Sequence, residues 1–268
     1  MILAKNTYNQ EVELMKKLIA VLLSAFMAAG FAGCGAQGTD NSASSTKYVI
    51  GTDTTFAPFE FQNSSGEMEG IDMEILAAVA EEEGFDYEVK ALGFDAAVQA
   101  LEAQQVDGVI AGMSITDKRR ESFDFSEPYF DSGVMMGVAE NNDTVKSYED
   151  LNGQKVAAKS GTEGLTFANS IKDQYGFDVV VFEDSATMYE DVKLGNTVAC
   201  FEDYPVLGYA ITQGVGLKTV TDKEQGSSYG FAVAKGQNEE LIKMFNDGLA
   251  KIKDNGKYQE ILDKYIAE

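Results

Sequence analysis

The sequence predicts an α/β protein made of two consecutive units, each a mostly parallel sheet flanked by helices. Strand and helix patterns alternate from residue 47 onward, which is typical of parallel α/β architecture. A long strand pattern with a glycine inside it, YFDSGVMMGVA (residues 129–139), interrupts the alternation, and a second α/β series follows. The chain has 268 residues and is 44% apolar, so it can bury the cores of one or two ordinary domains.

The segment that precedes the predicted fold has the features of a lipoprotein signal. A Lys-Lys pair stands before an apolar stretch, residues 18–31, and the sequence FAGC then ends at Cys34. We predict that residues 1–33 are removed and that Cys34 is acylated, with Met15 as a possible true start. The apolar run falls short of the ~20 residues that a membrane-spanning helix needs. The small polar residues 34–46 are predicted to form a flexible tether.

The first α/β unit begins near Lys47. Its strand patterns are YVIGT, YEVKAL and VDGVIAG, and its helix patterns are GIDMEILAAVAEEEG and FDAAVQALEAQQ. The first helix is predicted to stop at Gly84, because glycine readily adopts the left-handed conformation that ends a helix.

The second unit repeats the alternation without repeating the sequence. Its strand patterns are QKVAAKSG, DVVVFE and TVACF, and its helix patterns are EGLTFANSIKDQYG, SATMYEDVKLGN and YPVLGYAITQG. The segment SSYGFAVAKG is interpreted as a return crossing, and the helices NEELIKMFNDGLAKIKDNG and KYQEILDKYIAE end the chain.

A candidate binding segment follows the strand VDGVI. The small residues Gly112 and Ser114 fall at the end of a parallel strand, where open α/β sheets bind ligands. Asp117 is predicted to cap a short helix, TDKRRESF, that carries Arg119 and Arg120. A guanidinium beside free backbone donors suits a carboxylate ligand, although two solvated arginines would give the same pattern.

Composition excludes several classes of function. The chain contains no histidine, so histidine-based acid–base chemistry, Ser–His triads and histidine metal sites are excluded. It has 21 basic and 44 acidic residues, a net charge of −23, which argues against nucleic-acid binding because a phosphate backbone would be repelled. Cys200 is predicted to be a small buried strand residue rather than a reactive thiol.

Five short motifs occur in one order, and together they carry a family resemblance: GTDTTFAPFEF, SITDKR, FDFSEPY, AKSGTEG and CFEDYP. They resemble the extracellular solute-binding proteins (family 3) of polar amino-acid ABC transporters, the glutamine-binding protein type in particular. The resemblance implies a two-lobed periplasmic-binding-protein-like fold (type II) with a two-strand hinge. The implied boundaries are 47–129 and 230–268 for a discontinuous lobe 1, 134–224 for lobe 2, and about 130–134 and 225–229 for the hinge.

The resemblance also implies the mode of action. The protein would be a monomeric, non-enzymatic receptor on the outer face of the cell membrane, anchored by lipid. It would bind a free polar amino acid between the lobes and present it to the permease subunits of an ABC transporter. Neither a cofactor nor a metal is implied.

The family's ligand-binding residues map onto the motifs one by one. Arg119 would grip the α-carboxylate, with backbone N–H groups at Ser114 and Thr162 as additional donors. Asp203 would accept from the α-ammonium, and Gly112 would supply a carbonyl. From its position alone, Asp203 could equally be the N-cap of the helix that follows.

The remaining positions concern the ligand's side chain. Phe56 and Phe94 would clasp its aliphatic stem, although each could equally be a core residue. Asp53 and Lys159 would form hydrogen bonds with the polar end of the ligand's side chain. This arrangement favours glutamine, because its amide accepts a hydrogen bond from Lys159 and donates one to Asp53. Glu202 stands where the glutamine-binding type has a histidine; a carboxylate that entered the pocket there would favour arginine or lysine.

Two further functions are compatible with the sequence. An enzyme on the same scaffold, such as a dehydratase, could use Asp53, Glu163 or Glu202 as a general acid. Alternatively, the chain could be a sensor module for a separate signalling partner. The presence of both Arg119 and Asp203 favours an amino-acid receptor over the enzyme.

Overall fold

The computed structural model of the protein describes residues 47–266, which form two lobes, each built around its own mixed β-sheet. The predicted signal peptide and tether, residues 1–33 and 34–46, lie outside the described residues. Among the helices of the described part of the chain, none is both long and apolar enough to cross a membrane.

Lobe 1 contains a five-stranded sheet. Strand β1 is parallel to β5 and to β6, whereas β14 is antiparallel to both β6 and β7. The strands, in sheet order, are β5 (Asp86–Ala91), β1 (Lys47–Thr52), β6 (Gly108–Val109), β14 (Ala232–Ala234) and β7 (Phe123–Phe125). Because β14 lies in the middle of the sheet, the chain returns to lobe 1 after building lobe 2.

A small antiparallel sheet and four helices complete lobe 1. Helix α1 ends at Gly84, which adopts the predicted left-handed conformation with φ 71°. Helix α6 packs on α1 so closely that a Cβ atom at Gly248 would lie 2.8 Å from Val79 Cγ1. The elements are β2 (Thr55–Phe56), β3 (Glu60–Gln62), β4 (Met68–Glu69), α1 (Ile71–Glu83), α2 (Phe94–Glu102), α6 (Glu239–Asp254) and α7 (Lys257–Tyr265).

Lobe 2 contains a six-stranded sheet flanked by three helices. Strand β9 is parallel to β10 and β11, whereas β8 is antiparallel to β11, β12 and β13. The elements are β8 (Phe130–Ala139), β9 (Lys155–Lys159), α3 (Glu163–Tyr175), β10 (Asp178–Phe182), α4 (Ser185–Leu194), β11 (Ala199–Asp203), α5 (Tyr204–Thr212), β12 (Leu217–Thr219) and β13 (Glu224–Tyr229). Cys200 is fully buried in β11 as a free thiol, as predicted.

Two antiparallel strands connect the lobes. Phe130 at the start of β8 pairs with Tyr229 at the end of β13, and Ser132 pairs with Ser227. The Tyr229 ring lies in the core of lobe 1, whereas the other end of β13 belongs to the sheet of lobe 2. The strand pair therefore lies at the segments where the sequence predicts the hinge.

The sheets differ from the prediction in one respect, since they are mixed rather than mostly parallel. Strands β1, β6, β9 and β11 run toward the space between the lobes. The crossing strands start from that space, so β8 and β14 must enter their sheets in the opposite direction.

The predicted helix TDKRRESF is wrong in extent. Only Arg119–Glu121 is helical, as a single 3-10 turn, because the chain must enter β7 at Phe123. The oxygen that accepts a bond at the start of this turn is Oγ1 of Thr116, 3.2 Å from the Arg119 nitrogen, not the carboxylate of Asp117.

Candidate ligand-binding cleft

The carboxyl ends of four parallel strands meet between the two lobes. Asp53 follows β1 and Gly112 follows β6 by a short loop in lobe 1, while Lys159 and Asp203 end β9 and β11 in lobe 2. The dipoles and free backbone groups at such strand ends make this edge the usual ligand site of an open α/β sheet.

A narrow cavity of about 10 Å³ lies at this junction, and eight of the ten predicted ligand-binding residues line it. The two predicted residues outside the lining are Asp53 and Glu202. The lining residues are Phe56, Phe94, Ala111, Gly112, Ser114, Arg119, Lys159, Thr162, Glu163 and Asp203.

Arg119 is held in place by backbone carbonyls from both lobes. Its Nη1 donates to the Ser114 oxygen at 2.7 Å, and its Nη2 donates to the Gly161 oxygen at 3.0 Å. The guanidinium also lies over the Phe94 ring, 5.3 Å from the centroid, and 3.9 Å from Glu163 Oε1. Burial lowers the pKa of Arg119, and the Glu163 carboxylate is the main opposing influence. Since a guanidinium has five N–H donors, three are left for a ligand.

Asp203 occupies the N-cap position of α5, but its carboxylate caps no backbone N–H group. Its Oδ2 instead accepts from the Tyr229 hydroxyl at 2.6 Å and from the Ser132 hydroxyl at 3.2 Å. Burial and the nearby Glu202 raise the pKa of Asp203 to about 7. The side chain is therefore oriented by the connecting strands and turned toward the cavity, which favours the ligand interpretation over the capping one.

Lys159 and Asp53 form a buried ion pair across the two lobes. Lys159 Nζ bonds to Asp53 Oδ2, and each side chain is only 1% exposed. The other Asp53 oxygen accepts from the Thr54 backbone nitrogen at 2.6 Å. Lys159 Nζ also lies 5.1 Å from the centroid of the Phe56 ring. The two residues that are predicted to bind the side chain of the ligand thus bond to each other at one end of the cavity.

The aromatic pair stands on the lobe 1 side of the cavity. Phe56 and Phe94 are each 5% exposed, and each carries a cation over its ring, Lys159 and Arg119 respectively. Gly112 approaches Phe56 so closely that a Cβ atom would lie 2.4 Å from the ring, at a φ of +51°. Only glycine fits this position.

Glu202 does not enter the cavity, contrary to the concern raised by its position in the motif. Its Oε2 accepts from the hydroxyls of Ser185 at 2.8 Å and Tyr189 at 3.1 Å, and its Oε1 accepts from the Asp203 nitrogen at 3.0 Å. Successive residues of a strand point to opposite faces, so Glu202 faces α4 while Asp203 reaches the cleft.

The sequence analysis did not identify the residues that hold Asp203 and Arg119 in position by hydrogen bonds. Tyr229 and Ser132 bond to Asp203, and Gly161 bonds to Arg119. Gly161 lies in the motif AKSGTEG without having been assigned a role, whereas Tyr229 and Ser132 belong to no pattern that marks a ligand contact. Only their register on the crossing strands and on the turn after β9 brings them to the site.

The buried carboxyl groups predict how stability depends on pH. Burial raises the pKa of Asp72 to about 6 and that of Asp203 to about 7, and it raises those of Glu60 and Glu202 as well. A carboxyl group whose pKa is higher in the folded than in the unfolded protein destabilises the folded state once it must ionise. The free energy of unfolding therefore falls as the pH rises from the unfolded-state pKa, near 4, through the folded-state pKa. We therefore expect the ligand-free protein to melt at least roughly 5 °C higher at pH 5 than at pH 8 in calorimetry.

The substitution Asp203→Asn provides the control for this prediction. An amide does not titrate, so the variant should show a smaller loss of melting temperature between pH 5 and pH 8 than the unmodified protein. A melting temperature that rose over this interval would contradict the assignment of raised pKa values.

Two lobes joined by two strands, with a small polar cleft between them, are the architecture of a solute-binding protein. The chain belongs to the bacterial extracellular solute-binding proteins, family 3, whose model matches residues 48–268. This membership confirms the predicted family, the two-lobed fold and a non-enzymatic, extracytoplasmic role.

Individual relatives are similar over nearly their full length. A probable histidine-binding protein of Neisseria gonorrhoeae is 32% identical over 263 residues, which cover 95% of this chain and 97% of that protein. An ancestral arginine-binding protein bound to glutamine is 35% identical with a TM-score of 0.76, covering 83% and 98% of the two chains. The substrate-binding domain 2 of Lactococcus lactis GlnP, in an open conformation, is 40% identical with a TM-score of 0.59, covering 88% and 99%. These names span several amino acids and do not single out the glutamine-binding type.

Proposed function

We propose that this protein is a lipid-anchored receptor that binds a polar L-amino acid, preferentially glutamine, and delivers it to the permease of an ABC transporter. The observation that carries the proposal is the convergence of Arg119 and Asp203 on one cavity. An α-amino acid presents a carboxylate and an ammonium group on one carbon, and these two side chains match them in charge and in hydrogen-bonding capacity.

The carboxylate end of the ligand is assigned to Arg119 and the start of α3. The backbone carbonyls of Ser114 and Gly161 fix the guanidinium in one orientation, so its free N–H groups can pair with two carboxylate oxygens. Thr162 is the N-cap of the 13-residue helix α3, whose N-terminal end favours an anion. Glu163 is an unfavourable neighbour for an anion, and its 3.9 Å contact with Arg119 partly neutralises its charge.

The side chain of the ligand is assigned to Lys159 and Asp53. A primary amide inserted between them accepts a bond from Lys159 and donates one to Asp53, so both buried charges remain satisfied. Glutamate would add a carboxylate beside Asp53, and arginine or lysine would add a cation beside Lys159. Because Glu202 is engaged by Ser185 and Tyr189, it is not free to favour a cationic ligand.

The comparisons support an amino-acid ligand and leave a basic one as the second candidate. One similar structure is an arginine-binding protein bound to glutamine, and a relative from Bacillus subtilis is an arginine-binding extracellular protein. Competition calorimetry between glutamine, glutamate, arginine, lysine and histidine tests the preference. We expect glutamine to bind at least about tenfold more tightly than the others, a difference of about 1.4 kcal/mol. Tighter binding of arginine or histidine would overturn glutamine specificity without affecting the assignment of Arg119 and Asp203.

The conformation described here supports closure of the lobes over the ligand. Both the Lys159–Asp53 pair and the Arg119–Gly161 bond join lobe 1 to lobe 2. The TM-score is also higher with the ligand-bound ancestral protein than with the open Lactococcus domain, although the latter is more identical in sequence. We assign the hinge to Phe130–Val134 and residues 225–229, where β8 pairs with β13.

The lipid anchor is assigned to Cys34. The order of basic pair, apolar run and FAGC supports this assignment, and it lies outside the described residues. We expect Cys34→Ser to abolish incorporation of labelled fatty acid and to release the protein from membranes. Cys200→Ser is the matched control, because Cys200 is fully buried and should not affect labelling. Labelling that persisted in the Cys34 variant would contradict the anchor.

A further inference from the structure

A pair of buried carboxyl groups lies in lobe 1 directly beneath the cleft. Glu60 belongs to β3, and Asp72 is the second residue of α1; both are 0% exposed. The Asp72 nitrogen donates to the backbone oxygen of Phe59, the residue before Glu60, at 2.8 Å, so the two carboxyl groups lie near each other. Neither residue lines the cavity, and neither is among the residues proposed to bind the ligand.

One proton held by this pair would satisfy two of its three unpaired oxygens. Asp72 Oδ2 accepts from the Gly112 nitrogen and from the Tyr129 hydroxyl, both at 2.8 Å. Both Glu60 oxygens and Asp72 Oδ1 have no donor among the described residues. Two ionised carboxylates can only accept, so a bond between them requires that one carries a proton and donates it.

The surroundings place that proton on Glu60. Asp72 receives two donors and stands in the first turn of α1, where the helix dipole favours a negative charge. Glu60 receives none. Burial, followed by the nearby Asp72 and Asp53, raises the pKa of Glu60 well above its usual range, while Lys159 opposes this effect only in part.

The protonated pair is connected to the cleft through one backbone amide. Gly112 lines the cavity at a φ of +51° against the Phe56 ring, and Asp72 is the group that holds its N–H. Glu60 pairs with Phe56 in the small antiparallel sheet, so it flanks the same wall. Tyr129, the second donor to Asp72, directly precedes the crossing strand β8.

We propose that protonated Glu60 and ionised Asp72 act as positioning residues, which hold the Gly112 backbone, and thereby one wall of the ligand cleft, in its binding geometry. Glu60 donates to Asp72, and Asp72 in turn fixes the Gly112 amide and the start of the hinge. The consequence for ligand binding depends on the proposed function, whereas the proton and the position of Gly112 do not.

The first test needs no ligand and uses the full folded protein. Infrared spectroscopy at neutral pH should show the carbonyl stretch of a protonated carboxylic acid, and Glu60→Gln should remove the intensity of one such group. Glu202→Gln is the matched control for a buried carboxyl in lobe 2, and any loss it causes should add to that of Glu60→Gln. An unchanged band in Glu60→Gln would overturn the assignment of the proton.

The second test asks whether the pair positions Gly112. The amide of a glutamine can still donate to Asp72, so Glu60→Gln should leave the Gly112 amide resonance in NMR close to its original position. Glu60→Leu retains volume but removes the donor, so it should shift that resonance, while Glu202→Gln should not. A Gly112 resonance that is equally unaffected in the Leu variant would overturn the positioning role.

Glutamine as a probe connects the same variants to binding. We expect Glu60→Leu to raise the Kd for glutamine at least about tenfold, about 1.4 kcal/mol, and Glu60→Gln to restore it to within about threefold of the original. If glutamine fails to bind the unmodified protein, the proposed ligand is wrong, while the infrared and NMR results still decide the role of Glu60. If Glu60→Leu fails to fold, the infrared result for Glu60→Gln alone decides where the proton lies.

Discussion

Replacing Arg119 with lysine should weaken amino-acid binding at least roughly thirtyfold, a loss on the order of 2 kcal/mol. Two of the guanidinium donors already bond to the carbonyls of Ser114 and Gly161, and the rest are left for the carboxylate. An ammonium has three donors on one nitrogen and cannot form these bonds and a bidentate pair together. Isothermal calorimetry with the preferred amino acid measures the change.

Arg120 offers the matched control for this substitution. It is the next residue in the same turn, is exposed, and lies over the Phe125 ring outside the cleft. Arg120→Lys should therefore leave the affinity within about twofold. Equal losses of affinity in the two variants would mean that the loss does not come from the hydrogen bonds of Arg119, and an unchanged affinity in Arg119→Lys would remove it from the carboxylate site.

Replacing Lys159 with methionine should have the second large effect, because it leaves the Asp53 carboxylate buried without its cationic partner. Loss of one member of a buried pair typically costs about 3–5 kcal/mol. Since the pair joins the two lobes, this cost falls on the closed form, and opening the lobes relieves it by hydrating Asp53. We expect a more open ligand-free protein in small-angle scattering and a loss of affinity of at least about a hundredfold.

The double variant Asp53→Asn with Lys159→Met isolates the contribution of charge. With no ion left to desolvate, closure should be restored to a large extent, while the preference for an amide side chain should be lost. A double variant as open as the Lys159 variant would show that the ion pair does not control closure, and that the packing of Lys159 on Phe56 does.

The sequence is sufficient to predict the parts of the fold and site that depend on local pattern. The stop of α1 at Gly84 follows from glycine placement, and the long helix α6 follows from its residue pattern, whereas the positions of the crossing strands are implied by the family resemblance. Arg119 and Asp203 reach one cavity because each follows or ends a strand whose carboxyl end, one in each sheet, faces the space between the lobes.

What the sequence does not reveal depends on long-range register and on side-chain direction. The orientation of Glu202 toward α4 follows from the phase of β11, which a motif comparison ignores. The direct pairing of Lys159 with Asp53, 106 residues apart in sequence, requires the two lobes to be brought together. The donors that hold Asp203, Tyr229 and Ser132, come from two strands whose pairing no local pattern specifies.

The interior position of β14 in the first sheet, between β6 and β7, determines the order in which the protein can be completed after export. Residues 130–229 contain every strand of lobe 2, so this lobe has its whole sheet once they have left the membrane. Lobe 1 has its edge strands by then, but the gap between β6 and β7 stays open until Ala232–Ala234 emerges, followed by α6, which covers α1. The lobe that begins first along the chain is therefore the one that is finished last, and its apolar faces are the ones that need protection during translocation.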